Sequence, residues 1–578
     1  LMLLGVDVGG TFTDAVLSVD GRLVATDGFT DLVELGRQSR RELYRLCSAH
    51  PSPLAPPELR FGAAERMGPR STRRALRAQD AATLAERVAQ AAPEAVAVCL
   101  LHAWRDPAHE LAIGAALRER LGPDVHVSLS HDVVGTLREF ERAATTEIDA
   151  ALSPLLARYL ARLRERTRAA GLPDAQVMQS SGGLIDAGTA ARHAALTVLS
   201  GPAGGAAAAV LVARAAGEPN LLCFDMGGTS CDVCVVEGGE VRETASREVA
   251  GRPLALPMVD IHTVGAGGGS IAWRDAGGAL RVGPRSAGAL PGPAAYGRGG
   301  TAPTVTDAHV VLGTLGEDTP LAGGVRLAAG PAWEAVGRLA GELGLAPPAC
   351  AEGILRVANA EMVRALRVMT VERGLDPRDF ALLAFGGAGP LHAAAIADEL
   401  GMRRILVPRA SGVLSALGLA AADRRVQRQR SVLLSGAGLS DAALDATRRE
   451  LLAEGRAILD APRASARVAY EMRYRGQSHE LSVRGDGQES AGELREAFAA
   501  EHELRYGWRE DSAAVEVVTI RVAAVETGPV LGPAPAAQLG AERPGPAVLR
   551  LAETTIVVPA GWRATPDANG GHVLERER

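Results

Sequence analysis

The sequence contains no lysine, and all 62 of its basic residues are arginine. This excludes a standard P-loop, in which a lysine contacts the phosphates. It also excludes Schiff-base chemistry and a protein-kinase site, because both depend on a lysine side chain. Any phosphate chemistry in this chain must therefore use backbone N–H groups, arginine and metal-bound carboxylates.

The few cysteines, the short apolar runs and the negative net charge exclude further classes of protein. Six cysteines in 578 residues do not form a disulfide framework. The longest apolar run, at residues 206–213, is far below the ~18 residues needed to span a bilayer. The first residues lack the basic segment and cleavage site of a signal peptide, and the net charge of -6 argues against a broad nucleic-acid surface. We expect a cytoplasmic protein that binds neither nucleic acid nor membrane.

Helix-like and strand-like stretches alternate along most of the chain, which is typical of α/β layers. Apolar residues make up 47% of the sequence and charged residues 22%, as in ordinary globular proteins. Towards the C-terminus, alternating stretches at 470–483 and 515–525 predict antiparallel strands. We expect an N-terminal lobe over residues 1–190, a second lobe over 191–430 and a β-rich ancillary domain over 431–578.

An internal repeat is the strongest functional signal. The stretches DVGGTFTD at residues 7–14 and DMGGTSCD at 225–232 share the pattern D-x-G-G-T-x-x-D, and each lies between two apolar strands. Paired glycines allow positive φ and bring N–H groups close to an anion. The threonine adds a hydroxyl donor, and the aspartate can hold Mg²⁺. One copy alone is more typical of a plain hairpin, but two facing copies predict a site for the phosphates of one nucleotide.

A third glycine-rich element, FGGAGPLH at residues 385–392, has the pattern strand, turn and helix start. A helix N-terminus favours negative charge, and glycines let a flat group approach the backbone. The stretch does not match G-x-G-x-x-G, so a dinucleotide fold is not implied. In isolation, such a stretch is more often a case of tight strand–helix packing.

Two Asp/His pairs are further candidates. Asp260 and His262 lie two residues apart on a predicted strand and share a face, and Asp307 and His309 repeat this spacing after a long Gly/Pro-rich segment. One hypothesis is that these side chains bind a divalent metal or move protons at a substrate carbonyl. The alternative is that each forms hydrogen bonds with its own loop, as Asp and His readily do.

Seven stretches together resemble the hydantoinase A / 5-oxoprolinase family, within the actin, sugar-kinase and heat-shock ATPase superfamily. They are LGVDVGGTFTD (4–14), EFERAATT (139–146), MQSSGG (178–183), SGPAGG (200–205), FDMGGTS (224–230), VDIHTVGAGGGSIA (259–272) and FGGAGP (385–390). The resemblance covers roughly the first three quarters of the chain. It implies a two-lobed, actin-like fold of duplicated ribonuclease H-like units that binds ATP and Mg²⁺ between its lobes, with a mostly β ancillary domain.

The resemblance implies roles for residues of the two hairpins and of the 385–390 turn, and the metal-binding hypothesis above adds the two Asp/His pairs. The expected catalytic residues are Asp7, Asp225, Asp260 and His262. The expected nucleotide-binding residues are Gly9, Gly10, Thr11, Asp14, Gly227, Gly228, Thr229, Gly386, Gly387 and Gly389. The expected metal ligands are Asp7, Asp225, Asp260, His262, Asp307 and His309, with Mg²⁺ or another divalent ion as the metal.

Three functions follow from the resemblance and stay open at this point. The first is an ATP-dependent hydrolase subunit that phosphorylates a cyclic amide, such as hydantoin or 5-oxoproline, for ring opening with a B-type partner subunit. The second is the ATP-binding subunit of an acetone- or acetophenone-type ketone carboxylase. The third is a non-catalytic or regulatory nucleotide-binding protein, because residues 61–75 lack the family's G-T-T-x-x-T-N-A stretch. A separate departure is that His309 stands where the family has asparagine.

Overall fold

The computed structural model describes residues 23–27, 54–319, 324–529 and 541–577, and of residues 23–27 only the backbone. It has a mixed α/β architecture. The first unit contains a four-stranded parallel sheet in the order Arg60–Gly62, Leu23–Asp27, Ala95–Cys99 and His126–Leu129. Every residue of Ala95–Cys99 is buried, because helices cover both faces of this strand: Val96 and Val98 pack against two helices on one face, and Ala95 and Ala97 pack against Ala150 of a third helix on the other.

A single long helix, Glu139–Ala169, follows this sheet. The sequence predicts an interruption near Pro154, and this prediction is wrong, since the helix continues through the proline. A proline removes one N–H and crowds the carbonyl four residues earlier, but the cost is local. Packing of the buried helix face from Arg142 to Ala150 outweighs it.

The second unit is organised around a larger sheet. Strand Leu221–Met226 lies between the antiparallel strand Cys231–Glu237 and the parallel strand Ala381–Phe385, which in turn pairs with Arg404–Val407. Buried apolar residues cover both faces of this sheet. Cys231 and Cys234 are odd-spaced on one strand and belong to opposite faces, so they are small core residues there.

The C-terminal region contributes to two sheets. Residues His572–Arg576 pair with Arg404–Val407 and so extend the central sheet. The strand Arg424–Ser435 starts a second sheet with the long strand Val515–Glu526, and the predicted boundary between residues 430 and 431 falls inside it. The predicted strands near 470–483 and 515–525 are confirmed.

The remaining element bounds complete the architecture. The helices are Ala78–Gln90, Ala108–Leu121, Ser130–Val133, Ala187–Arg192, Gly201–Ala216, Val305–Val311, Ala329–Leu343, Pro347–Met369, Gly389–Leu400, Leu414–Ala421, Asp441–Leu459 and Ala491–Tyr506. Further strands are Arg66–Met67, Thr72–Arg74, Gln176–Met178, Leu184–Asp186, Glu240–Val241, Glu243–Thr244, Arg247–Val249, Arg252–Leu254, Met258–Val259, Ile261–Val264, Ser270–Arg274, Leu280–Ser286, Ser465–Tyr474, Leu481–Gly485, Arg543–Pro544, Ala547–Arg550, Thr555–Val558 and Trp562–Pro566. In the described part of the chain, none of the helices has the length and apolarity needed to traverse a bilayer.

Candidate functional site

The second glycine hairpin forms as the sequence predicts. Strands Leu221–Met226 and Cys231–Glu237 place Asp225 opposite Asp232, and the N–H of Gly227 donates to the Ser230 carbonyl at 3.1 Å. A Cβ built on either Gly227 or Gly228 would meet no atom within 4 Å. The turn therefore presents bare backbone to open space, where a ligand can approach.

A second glycine-rich loop, residues 265–269, packs directly on this turn. The N–H groups of Gly268 and Gly269 donate to the carbonyls of Gly227 and Gly228 at 3.1 and 2.6 Å. A Cβ on Gly267 would lie 2.5 Å from the backbone nitrogen of Thr229, so only glycine permits this approach. Through these backbone contacts, the loop 265–269 holds the turn at residues 227–229 in place.

The third glycine element joins the same site. Strand Ala381–Phe385 runs parallel to the first hairpin strand, with Phe385 opposite Asp225. Gly386 has φ +78°, and a Cβ on it would lie 2.4 Å from Oδ1 of Asp225. Gly387 is exposed with no atom within 4 Å of its Cβ position, and the helix Gly389–Leu400 begins immediately afterwards. The predicted strand, turn and helix are confirmed, and the helix N-terminus lies beside the hairpin.

The side chain of Asp225 is fixed by a residue that the sequence analysis missed. Its Oδ2 accepts a hydrogen bond from Oγ of Ser415 at 3.1 Å. Ser415 lies on the short helix Leu414–Ala421, which packs closely on helix Gly201–Ala216. The tightness of that packing is shown by Gly418, where a Cβ would lie 2.1 Å from the Gly204 carbonyl oxygen. No pattern in the sequence marks this serine, because the contact depends on how the two helices pack.

The Asp260/His262 pair has a different environment. Asp260 forms an ion pair with Arg373. Burial, with the nearby positive charges of Arg247 and Arg364, lowers the pKa of His262 below its ordinary value, so its imidazole is neutral near pH 7. These contacts leave the catalytic and metal roles of the pair as predictions.

The side chains of Asp307 and His309 form hydrogen bonds with neighbouring residues. The Asp307 carboxylate accepts hydrogen bonds from the N–H groups of Ala294, Ala295 and Thr304 and from the Thr304 hydroxyl. With Thr304 as the N-cap residue, it forms the capping box of helix Val305–Val311. Burial raises the pKa of Asp307 despite these donors.

His309 contacts Oγ1 of Thr314 at 2.8 Å and Nε2 of His392 at 3.3 Å. Its two ring nitrogens are thus both occupied. In the part of the chain that the structure describes, no group of three or more His, Cys, Asp or Glu side chains could hold a metal ion.

The first hairpin lies outside the described residues. This concerns the predicted roles of Asp7, Gly9, Gly10, Thr11 and Asp14. How residues 7–14 and 225–232 are placed relative to each other therefore stays a prediction, and so does the actin-like, two-lobed description of the fold.

Comparison with known proteins places the chain in a family. The hydantoinase/oxoprolinase family model matches residues 142–428, and the model of the hydantoinase/oxoprolinase N-terminal region matches residues 20–121. An uncharacterised protein of Methanocaldococcus jannaschii is 35% identical, with 96% of this chain and 88% of that protein covered. The chain belongs to the hydantoinase/oxoprolinase family.

Relatives with named activities match at similar levels. The caprolactamase subunit alpha of Pseudomonas jessenii is 33% identical, over 83% of this chain and 76% of the relative. The 5-oxoprolinase 1 of Arabidopsis thaliana is 32% identical, over 90% of this chain but 44% of the much longer relative.

Two solved structures share the fold. The ATP-dependent caprolactamase of Pseudomonas jessenii superimposes with a TM-score of 0.84 at 31% identity, covering 97% of this chain and 88% of that one. A nucleotide-free acetone carboxylase superimposes with a TM-score of 0.72 at 25% identity, covering 96% and 88%. The mixed α/β fold is therefore the fold of these enzymes.

Proposed function

We propose that this protein binds ATP with Mg²⁺ at the hairpin site and uses it to activate the carbonyl of a small cyclic amide for hydrolysis. The observation that carries the proposal is the convergence of two glycine-rich segments, residues 265–269 and 386–389, on Asp225 and the glycine turn that follows it at residues 227–230. The likeness to an ATP-dependent caprolactamase and to 5-oxoprolinase supports the substrate class.

The residues present suit a nucleotide triphosphate. Within the described part of the chain, the N–H groups of Gly228 and Gly387 make no hydrogen bond, and both glycines are exposed. They can donate to phosphate oxygens, and the start of helix Gly389–Leu400 adds a favourable dipole. This is how a chain without lysine holds phosphates.

The carboxylate of Asp225 suits a hard, oxygen-binding cation such as Mg²⁺, which keeps most of its waters and uses one or two carboxylates. Ser415 fixes one of its oxygens. When bound, ATP would supply a phosphoryl group to the amide oxygen, which makes the carbonyl carbon electrophilic enough for water to attack; the ring C–N bond would then break, and hydrolysis of the resulting acyl phosphate would release phosphate. Asp225 and the glycine N–H groups hold and orient the phosphates, so they place the reacting group and offset its charge.

The proposal includes a partner. The relative from Pseudomonas jessenii is named as a subunit, and we propose that this chain likewise works with a second, B-type subunit. The likeness to acetone carboxylase supports a second candidate, activation of a ketone for carboxylation, but at lower structural similarity.

The test is ATP turnover by the chain, alone and with the subunit that co-purifies with it. Caprolactam, 5-oxoproline and hydantoin are compared with acetone plus bicarbonate. We expect a cyclic amide to stimulate ADP release in step with the appearance of the ring-opened product. Stimulation by acetone and bicarbonate alone would replace the proposal by the ketone candidate, and ATP binding without turnover on any substrate would favour a non-catalytic protein.

A further inference from the structure

A cavity of about 190 Å³ lies between the second unit and the C-terminal sheet. Helix Gly201–Ala216 forms one wall, and strands Arg424–Ser435, Ser465–Tyr474 and Val515–Glu526 form the other. The space is larger than a single water requires. None of its lining residues belongs to the glycine-rich segments around Asp225, so it is a separate site.

Arginine dominates the charged lining of this cavity. Five arginines face it against three carboxylates, namely Arg214, Arg425, Arg467, Arg484 and Arg521 against Glu240, Glu243 and Asp423. Burial alone would raise the pKa of Glu243, but Arg425, with Arg521 and Arg484 behind it, holds that pKa below its ordinary value. Four of the five arginines also form ion pairs with carboxylates, namely Arg425 with Glu243, Arg467 with Asp423, Arg484 with Glu240 and Arg521 with Glu471, so the cluster carries only a small excess of positive charge.

Arg521 gives the strongest evidence for a ligand among these residues, because its side chain is buried, with only 6% of the residue exposed. It forms an ion pair with Glu471, which lies outside the lining, and its Nη2 donates to Oγ of Ser482 at 2.9 Å. Its buried Nε and Nη1 have no hydrogen-bond partner among the described residues. Buried donors of a charged group are rarely left without an acceptor.

Arg425 repeats the pattern. Its Nη1 donates to Glu243 at 2.6 Å and its Nη2 to Gln427 at 3.0 Å. Its buried Nε likewise has no partner in the described part of the chain. Two partly satisfied guanidinium groups therefore line one small cavity.

We propose that this cavity is a binding site for a small oxyanion, a carboxylate or a phosphate group, held by Arg521 and Arg425. A guanidinium offers planar, paired donors that match the oxygens of either group. The ligand supplies the acceptors that these two side chains lack. The site stands independently of the proposed function, because it rests on none of the same residues.

The experiment titrates the full chain with sodium phosphate and, separately, with sodium succinate by calorimetry, at an ionic strength held constant with chloride. We expect saturable binding of at least one probe with one site per chain. Phosphate binding alone identifies a phosphate group as the ligand class, and succinate binding alone identifies a carboxylate.

Two variants locate the binding. Arg521→Gln is combined with Glu471→Gln, so that no buried carboxylate is left unpaired. Arg467→Gln changes a half-exposed lining residue whose ion pair with Asp423 is long, at 3.8 Å. Each should weaken probe binding at least tenfold, whereas Arg563→Gln, on the exposed surface outside the cavity, should leave it unchanged. The proposal is overturned if neither probe binds, if both cavity variants bind like the unmodified chain, or if binding is lost only in Gly387→Ala, which changes the hairpin site.

Discussion

Gly386 lies directly against Asp225, because a Cβ on Gly386 would fall 2.4 Å from the carboxylate oxygen Oδ1. The two residues are 161 positions apart in sequence, and the parallel pairing of their strands brings them together. The left-handed backbone at Gly386, with φ +78°, is what allows the carboxylate to occupy this position. The site is therefore made by backbone geometry as much as by side-chain chemistry.

Substituting the two neighbouring glycines tests this relationship. Gly386→Ala forces a side chain into Asp225 and strains the backbone, so we expect a loss of about 1–3 kcal/mol in stability and a loss of ATP binding. Gly387→Ala is the matched control for stability, since its Cβ would meet no atom. It should lower ATP affinity while its melting temperature stays unchanged. Differential scanning calorimetry and nucleotide titration measure the two effects, and equal melting temperatures for both variants would contradict the geometry.

The supporting loop gives a second prediction. Gly267→Ala places a methyl group 2.5 Å from the Thr229 backbone nitrogen, and we expect the variant to lose roughly 1–3 kcal/mol of stability together with nucleotide affinity. Gly330→Ala, in helix Ala329–Leu343 with open space around it, should be neutral or stabilising by up to about 1 kcal/mol. A stable Gly267→Ala variant with full affinity would show that the loop does not support the turn.

Ser415 should act through Asp225. Ser415→Ala removes the hydroxyl that donates to Oδ2, so the carboxylate loses one of the contacts that orient it. We expect kcat for ATP turnover to fall by about tenfold, with a stability change below about 1.5 kcal/mol. Steady-state kinetics and thermal unfolding check this. A fall in stability without any change in kcat would mean that the serine only supports helix packing.

Substitutions in the Asp260–Arg373 ion pair distinguish a structural role of Asp260 from a catalytic one. If Asp260 serves mainly to pair with Arg373, Asp260→Asn and Arg373→Gln should both retain ATP turnover and show a coupling energy below about 1 kcal/mol, as expected for a partly exposed pair. Turnover abolished by Asp260→Asn but not by Arg373→Gln would instead establish the predicted catalytic role of the carboxylate.

The buried pair of His309 and His392 should make the stability of the folded protein sensitive to acid. Burial lowers the pKa of His309 to about 4, and burial together with His309 lowers the pKa of His392 well below its ordinary value. The unfolded chain then binds more protons than the folded chain below pH ~6.5, so these groups reduce stability as the pH falls from about 6.5 towards 4. His309→Asn should flatten this dependence. The check is the melting temperature of both proteins between pH 4.5 and 7.5, and parallel profiles would contradict this assignment.

The local parts of the site could be predicted from sequence. The hairpin at residues 225–232 and the strand, turn and helix at 381–400 follow from apolar strands interrupted by glycines, because both patterns are short-range. The choice between capping and metal binding at Asp307 required the structure, since the carboxylate reaches Ala294 and Ala295 across a loop.

The long-range parts could not be predicted. Ser415 meets Asp225 because two small-residue helices pack closely, and nothing around the serine marks it. The pairing of His572–Arg576 with Arg404–Val407 joins two strands that are far apart in the sequence, and no local pattern marks such a contact. Pro154 shows the same limit, because tertiary packing outweighs its local preference.

ATP binding to the unmodified chain and to Asp225→Asn tests the central claim most directly. Asp174→Asn, a surface aspartate paired with exposed arginines, is the control. We predict that calorimetry with Mg²⁺ and ATP gives one site per chain, that Asp225→Asn weakens it at least tenfold, and that Asp174→Asn leaves it unchanged. No binding by the unmodified chain, or equal affinity in all three proteins, would contradict the account.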